Sequence, residues 1–138
     1  MNMPAGYSNT PLAKKLGLKN GFRIRLINAP AHYFELFTEM PAPLHFIDDI
    51  SVKKDLIHFF TISAEELRAV LPALKNEVVH NGMIWVSWPK KASKMTTDVN
   101  EQMIRDLALA SGLVDIKVCA VDEVWSGLKL VIPVKERN

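Results

Sequence analysis

Six short segments of the chain are rich in apolar residues and are separated by turn-forming or helix-forming residues. In the segment 22–28, Phe22, Ile24 and Leu26 alternate with polar positions, whereas residues 83–89 carry two tryptophans and no charge. Alternation is typical of a half-buried strand, and an uncharged run is typical of a strand that is covered on both faces. The pattern therefore predicts strands at 22–28, 44–47, 55–61, 83–89, 113–121 and 128–134.

Two amphipathic stretches between these strands begin with capping signals. Ser63 is followed three residues later by Glu66, and Asp98 is followed three residues later by Glu101. Each pair has the spacing of a capping box, in which the two side chains satisfy amides at the start of a helix. We expect one helix from residue 63 to about 79, kinked before Pro72, and a second one after residue 98.

Two shorter helices are predicted near the amino terminus. Thr10 precedes a leucine- and lysine-rich stretch that Gly17 closes, which predicts a helix over 11–16 with Thr10 as its N-cap. Asn28 and Pro30 precede aromatic residues at 33, 34 and 37, which predicts a short helix that Asn28 caps and whose rings face the core. Asn81 with Gly82 predicts the turn into the strand at 83–89.

Strands that alternate with helices and end in a hairpin predict an α/β domain. The crossover helices require parallel strands, and the short connection at 122–127 requires the last two strands to be antiparallel. We expect a single Rossmann-like, three-layer domain over residues 1–138, mostly parallel with a C-terminal antiparallel hairpin. Residues 1–9 are expected to be a flexible lead-in.

The second half of the chain, with its helix, strand, helix and closing hairpin, resembles the class I methyltransferases. Residues 74–87, from the end of the predicted helix into the strand, are similar to the corresponding segment of those enzymes. This resemblance implies the strand order 2-1-3-4-6-5, in the numbering of the strands along this chain. It also implies that a cofactor would bind after the first strand.

Composition restricts the functional classes. The 17 basic and 15 acidic residues leave a net charge of +2, which argues against nucleic acid as a partner and gives no attraction to a membrane surface. The single cysteine, Cys119, is typical of a reducing compartment, and with no signal-like or membrane-spanning segment we expect a cytoplasmic protein. His45, Asp48, Asp49 and His58 match no metal-binding spacing, and His58 is expected to be a hydrogen-bonded core residue.

Candidate ligand-binding residues cluster where the strands are predicted to end. In open α/β sheets, ligands bind beyond the carboxyl ends of the strands, close to the switch point between strands 1 and 3. Three lysines follow the strand at 83–89, and the helix start at Ser63 offers free amides, so a small anionic or nucleotide-like ligand is expected there. The predicted site comprises Asn28, Thr61, Ser63, Trp88, Lys90, Lys91, Ser93, Lys94, Trp125 and Ser126, with Trp88 or Trp125 covering the ligand.

The turn after the first strand lacks the glycines that usually let the backbone approach a nucleotide. Residues 28–31 read Asn-Ala-Pro-Ala, and Pro30 has no amide donor. We therefore expect no cofactor, and S-adenosylmethionine is disfavoured. The sequence favours a non-catalytic ligand-binding protein, with a divergent S-adenosylmethionine-dependent methyltransferase as the alternative. A protein interaction module, such as a homodimer formed through the strand at 128–134, is the second alternative.

Three segments resemble a small bacterial family that is described as a domain of unknown function. They are residues 6–17 (GYSNTPLAKKLG), 85–94 (WVSWPKKASK) and 118–131 (VCAVDEVWSGLKLV). The resemblance extends over nearly the whole chain. It implies a methyltransferase-like sheet without the usual cofactor turn, and it implies no particular reaction.

Overall fold

The computed structural model describes residues 10–137, which form a single α/β domain built on one six-stranded sheet. The strands are β1 (Arg23–Ile27), β2 (His45–Phe46), β3 (Lys54–Phe60), β4 (Val78–Pro89), β5 (Val114–Ala120) and β6 (Trp125–Val131). Their order is β2-β1-β3-β4-β6-β5, with β2, β1, β3 and β4 parallel and β6 antiparallel to both of its neighbours. The predicted fold class and strand order are thus confirmed. The predicted lead-in at 1–9 lies outside the described residues.

Helices cover both faces of the sheet. α2 (Ala64–Leu74) and α3 (Glu101–Ala110) pack on the face that presents Ile57, Phe59 and Ile84. α1 (Leu12–Leu16) and a 3₁₀ turn, Tyr33–Leu36, cover the face that presents Leu56 and Trp85. The second half of β4, from Ile84 to Pro89, is therefore buried on both sides, as its uncharged sequence predicts. In the described part of the chain, no helix combines the length and apolar character that a bilayer crossing needs.

Two strands, β4 and β6, have bounds that differ from the predictions by more than one residue because of local backbone geometry. β4 begins at Val78, and residues 79–82 form an irregularity inside it, since Lys54 pairs with Val78 but Leu56 already pairs with Met83. A Cβ at Gly82 would lie 3.0 Å from the Val79 carbonyl oxygen, so the close approach requires glycine. β6 begins three residues earlier than predicted.

The shift of β6 follows from a tight turn at Asp122. The Asp122 carboxylate accepts hydrogen bonds from the amides of Val124 (2.8 Å) and Trp125 (2.7 Å). This Asx-type turn closes the hairpin sooner than the predicted 122–127 connection. It places Trp125 opposite Pro89, at the carboxyl end of β4.

The helix predictions were right for Ser63, which caps α2, and for Gly17, which closes α1, but other ends and caps differ. α1 begins at Leu12 after Pro11, and α2 ends at Leu74, with Pro72 in its last turn and the 3₁₀ turn Lys75–Glu77 after it. The N-cap of α3 is Asn100, whose side chain accepts from the Met103 amide at 2.9 Å, so Asp98 is not its cap. Both residue types are good N-caps, and the sequence alone does not decide between them.

The predicted helix after Pro30 is only the 3₁₀ turn Tyr33–Leu36, and no side chain caps it. Tyr33 is buried, but Phe34 is 55% exposed, so the expectation that the rings face the core holds for only part of the stretch. The Asn28 side chain instead forms hydrogen bonds with Phe60 and Glu66 at the end of β1.

Candidate functional site

The carboxyl ends of β1 and β3 enclose a cavity at the topological switch point of the sheet. The chain leaves β1 toward β2 on one side, and β3 lies on the other side, so a crevice opens between the two strand ends. The cavity has a volume of about 360 Å³. This switch-point cavity is lined by Asn28, Phe60, Thr61, Ile62, Glu66, Met95 and Trp125.

Asn28 turns the chain at the edge of this cavity. Its φ of +59° lies in the left-handed region, which asparagine tolerates better than most residues. Its side-chain amide donates to the Phe60 carbonyl oxygen at 3.1 Å and to Glu66 Oε2 at 3.0 Å. The turn after β1 therefore reaches a left-handed conformation without glycine, and Asn28 ties β1 to β3 and α2.

Glu66 gives the cavity a negative charge. Thr61 Oγ1 lies 2.8 Å from Glu66 Oε1 and donates to it, so each carboxylate oxygen has a donor from the cavity wall. Only half of the predicted capping box forms: Ser63 Oγ accepts from the Glu66 amide at 3.2 Å, while the Ser63 amide donates to Thr61 Oγ1. Because the Glu66 carboxylate does not bond to the Ser63 amide, it can line the cavity.

A buried hydrogen-bonded row of three side chains lies behind the aromatic wall. The His58 ring nitrogens contact the Tyr33 hydroxyl at 3.0 Å and Ser87 Oγ at 2.7 Å. Burial lowers the pKa of His58 to about 3 and raises the pKa of Tyr33, so the imidazole stays neutral. His58 stacks on Phe60 with 4.2 Å between ring centroids, and Phe60 lines the cavity. The row therefore fixes the inner wall.

Trp125 completes the aromatic wall. Its ring meets Phe60 edge to face at 5.1 Å between centroids, and the side chain is 9% exposed. Trp88 lies in the core cluster on the opposite face of the sheet, beneath α2 and α3. Of the two tryptophans predicted to cover a ligand, only Trp125 therefore borders the switch-point cavity.

A second, larger cavity of about 790 Å³ lies beyond the carboxyl end of β4. Its walls include Trp88, Lys90, Lys91, Asp98 and Ser126. We call residues 90–94 the lysine loop and this space the lysine-loop cavity. Met95 borders both cavities, so the two are neighbours at the same edge of the sheet.

The lysine loop has its own internal hydrogen bonds. Ser93 Oγ donates to the Lys90 carbonyl oxygen at 2.7 Å, and the Lys90 amide donates to the Val124 carbonyl oxygen at the same distance. Lys94 takes a left-handed conformation that ends the 3₁₀ turn Lys91–Ser93. The loop is thus anchored to the hairpin turn, while Lys91 remains exposed.

Two of the amides at the start of α2 already have partners. The Ala64 amide donates to Asp98 Oδ1 at 2.7 Å, and the Glu66 amide donates to Ser63 Oγ. A carboxylate of the chain itself therefore occupies the helix terminus at which an anionic ligand was expected. Ser63 is a capping residue in this structure.

Seven of the ten predicted site residues line one of the two cavities. Asn28, Thr61 and Trp125 line the switch-point cavity, whereas Trp88, Lys90, Lys91 and Ser126 line the lysine-loop cavity. Ser63, Ser93 and Lys94 line neither of them. Sequence analysis missed Glu66, whose capping-box spacing offered a complete local explanation for it. Among residues 10–137, no group of three or more His, Cys, Asp or Glu side chains is placed to hold a metal ion.

Comparison with solved structures finds the fold in methyltransferases. A ribosomal-protein methylase from Lactobacillus delbrueckii subspecies bulgaricus matches with a TM-score of 0.58 and 11% identity, covering 88% of this chain and 74% of that one. Magnesium protoporphyrin IX methyltransferase from Synechocystis PCC 6803, solved with S-adenosylmethionine bound, matches with a TM-score of 0.58 and 12% identity. The match covers 88% of this chain and 74% of that one. A putative type 11 methyltransferase from Sulfolobus solfataricus matches with a TM-score of 0.56 and 12% identity, covering 84% of this chain and 87% of that one.

These identities establish the fold alone. No protein-family model matches the chain, and no curated protein matches its sequence. The single α/β domain is thus methyltransferase-like in architecture.

Proposed function

We propose that this protein binds S-adenosylmethionine in the switch-point cavity and acts as a divergent methyltransferase. The observation that carries the proposal is the carboxylate of Glu66, which faces a cavity walled by aromatic and apolar side chains at the switch point. Such a lining suits a ligand that combines a positive charge with an aromatic ring. S-adenosylmethionine has both features, and it supplies an activated methyl group when bound.

The residues present fit this cofactor by a route other than a glycine-rich turn. Asn28 already holds the left-handed conformation that such a turn provides, and the cavity volume of about 360 Å³ lies within the range of roughly 300 to 1,000 Å³ for small-molecule sites. Trp125, Ile62 and Met95 offer apolar surface for an adenine ring, and Thr61 and Asn28 orient the carboxylate. Solved neighbours with the cofactor bound support this assignment.

We propose further that the lysine-loop cavity holds a small anionic group, such as one carried by the methyl acceptor. Lys90 and Lys91 line it, and its two acidic residues are engaged elsewhere: Asp98 with the Ala64 amide and Glu101 with Arg105. The exposed Lys91 can therefore attract an anion into this cavity. Titration with inorganic phosphate measures this binding, and we expect it to weaken as salt rises.

The decisive test of the main proposal compares a charged ligand with a neutral one. S-adenosylmethionine carries a sulfonium, whereas S-adenosylhomocysteine carries an uncharged thioether. Calorimetry should show both binding to the wild type. Glu66→Gln should weaken S-adenosylmethionine by roughly threefold to tenfold more than S-adenosylhomocysteine, because only the former loses a charge interaction.

Glu65→Gln is the matched control, since Glu65 is exposed on the same helical turn and does not line the cavity. It should leave both affinities unchanged. Equal losses for the two ligands in Glu66→Gln would remove the charge argument. No binding of either ligand to the wild type would overturn the proposal and favour an interaction module instead.

A further inference from the structure

A group of basic side chains lies on the α1 face of the hairpin, and none of them lines either of the two cavities. Lys117 on β5 and Lys129 on β6 are direct partners in the antiparallel register, so their side chains project from the same face. Lys129 also pairs with Trp85 on β4, whose indole donates to the Leu16 carbonyl oxygen at 2.9 Å. This places both lysines beside the end of α1.

α1 and the C-terminal segment add three more cations. Lys15 Nζ reaches the Ala120 carbonyl oxygen, 3.5 Å away at the end of β5, and Lys19 follows the helix. Burial lowers the pKa of Lys129, and the charges of Lys117, Arg137 and Lys19 lower it further, so these groups are electrostatic neighbours. We call Lys15, Lys19, Lys117, Lys129 and Arg137 the basic face.

The cations of the basic face form no ion pairs with the other residues that the structure describes. Among residues 10–137, none of the five cations has a carboxylate within ion-pair distance. Asp115 on β5 pairs with Arg105 on the other face, and Asp122 pairs with His32. The chain's other 12 basic residues are outnumbered by its 15 acidic residues, so the small net charge conceals a local excess.

Protection of a sheet edge accounts for only part of this arrangement. β5 is an edge strand, and a lysine such as Lys117 discourages pairing with another chain. β6 has a neighbour on each side, so Lys129 guards no edge. Like charges directly opposite each other on paired strands are destabilising, and a ligand that needs both of them explains why they occur together.

We propose that the basic face binds nucleic acid through its phosphate backbone. Four of the five cations are lysines, which act as point charges on flexible side chains and can follow a row of phosphates. Arginine is better suited to binding a few fixed carboxylates, because its guanidinium group forms two hydrogen bonds at once. The basic face contains no aromatic residue, whereas the exposed Phe34 and Phe46 meet at the β2 edge, the opposite end of the sheet. Base stacking is thus absent from the recognition, and sequence preference should be weak.

Fluorescence anisotropy with a short labelled duplex of mixed sequence, at a series of salt concentrations, tests this proposal. We expect Lys117→Gln/Lys129→Gln to weaken binding at low salt and to reduce the slope of log K against log salt by about 2, since each lost phosphate contact removes roughly 0.9. Lys117→Arg/Lys129→Arg should retain both affinity and slope. Circular dichroism would verify that each variant is folded.

Lys53→Gln/Arg68→Gln is the matched control, because it removes the same charge from two exposed residues outside the basic face. It should bind as the wild type does. If the control lost as much affinity for the duplex as Lys117→Gln/Lys129→Gln, net charge alone would explain the effect, and the proposal would be overturned. Polyglutamate tests the alternative of an acidic protein partner. If it binds as tightly as the duplex and loses affinity in Lys117→Gln/Lys129→Gln, the basic face would bind an acidic protein instead. Failure of the wild type to bind the duplex would also overturn it.

Discussion

The two neighbouring cavities differ in what holds their walls. The switch-point cavity has a carboxylate with two hydrogen-bond donors, and behind its aromatic wall lies the fully buried row of Tyr33, His58 and Ser87. The lysine-loop cavity is larger, and its charges sit on exposed or half-exposed side chains of a surface loop. A preorganised site can select a ligand by shape, whereas flexible charges attract a class of ligands. The first cavity is therefore the better candidate for a specific cofactor.

The largest effect should come from removing the row behind the first cavity. His58→Ala leaves the Tyr33 and Ser87 hydroxyls buried without a partner and creates a void, so we expect a loss of about 3 to 5 kcal/mol in the free energy of unfolding. Urea denaturation measures it. His45→Ala, at an exposed position, should change stability by less than about 0.5 kcal/mol. A loss below about 1 kcal/mol for His58→Ala would show that the row does not support the wall.

The same histidine should make stability depend on pH. Burial lowers the pKa of His58 from 6.5 to about 3, so between these values the unfolded chain binds a proton that the folded chain does not. The stability contribution is therefore complete above pH 6.5 and is lost as pH falls, by about 2 kcal/mol at pH 5. His58→Gln, which keeps a donor and an acceptor but does not titrate, should flatten the profile. A profile that is unchanged in His58→Gln would contradict this assignment.

A smaller effect is expected at the junction between the two cavities. Asp98 belongs to the lysine-loop cavity, but its carboxylate accepts from the Ala64 amide at the start of α2. Asp98→Ala should cost about 1 kcal/mol, as does the loss of a helix cap. Thermal denaturation measures this, with the exposed Asp48→Ala as the reference variant. Equal melting temperatures for the two variants would mean that the contact between Asp98 and the start of α2 does not stabilise the fold.

The smallest effect concerns the flexible charges of the second cavity. Lys91 lines the lysine-loop cavity and Lys94 of the same loop does not, so Lys91→Gln should weaken phosphate binding by about threefold and Lys94→Gln by less. Neither variant should change stability by more than about 0.5 kcal/mol. Affinity for S-adenosylmethionine should stay the same in both. If Lys91→Gln weakened the adenosyl ligand as much as phosphate, the two cavities would have to be regarded as one site.

Sequence patterns predicted the sheet better than the site. The positions of the strands follow from uncharged and alternating runs, because burial restricts which residues a strand can carry. The strand order was implied only by the resemblance to class I methyltransferases. Glu66 shows why the site was harder to foresee. Its spacing from Ser63 predicts a cap, but the tertiary contact with Asn28, 38 residues away, decides where the carboxylate points. Asp98 likewise accepts a hydrogen bond from the first amide of α2, 34 residues away, and Asn100 caps α3 instead.

The bond between Trp85 and Leu16 has a consequence for the order in which the molecule assembles. α1 has five residues, too few to persist alone, and its last carbonyl group is held by an indole that lies 69 residues further along the chain. That indole is in place only when β4 has joined the sheet, and closing so long a loop is slow. We therefore expect α1 to become stable only after β4 has joined the sheet.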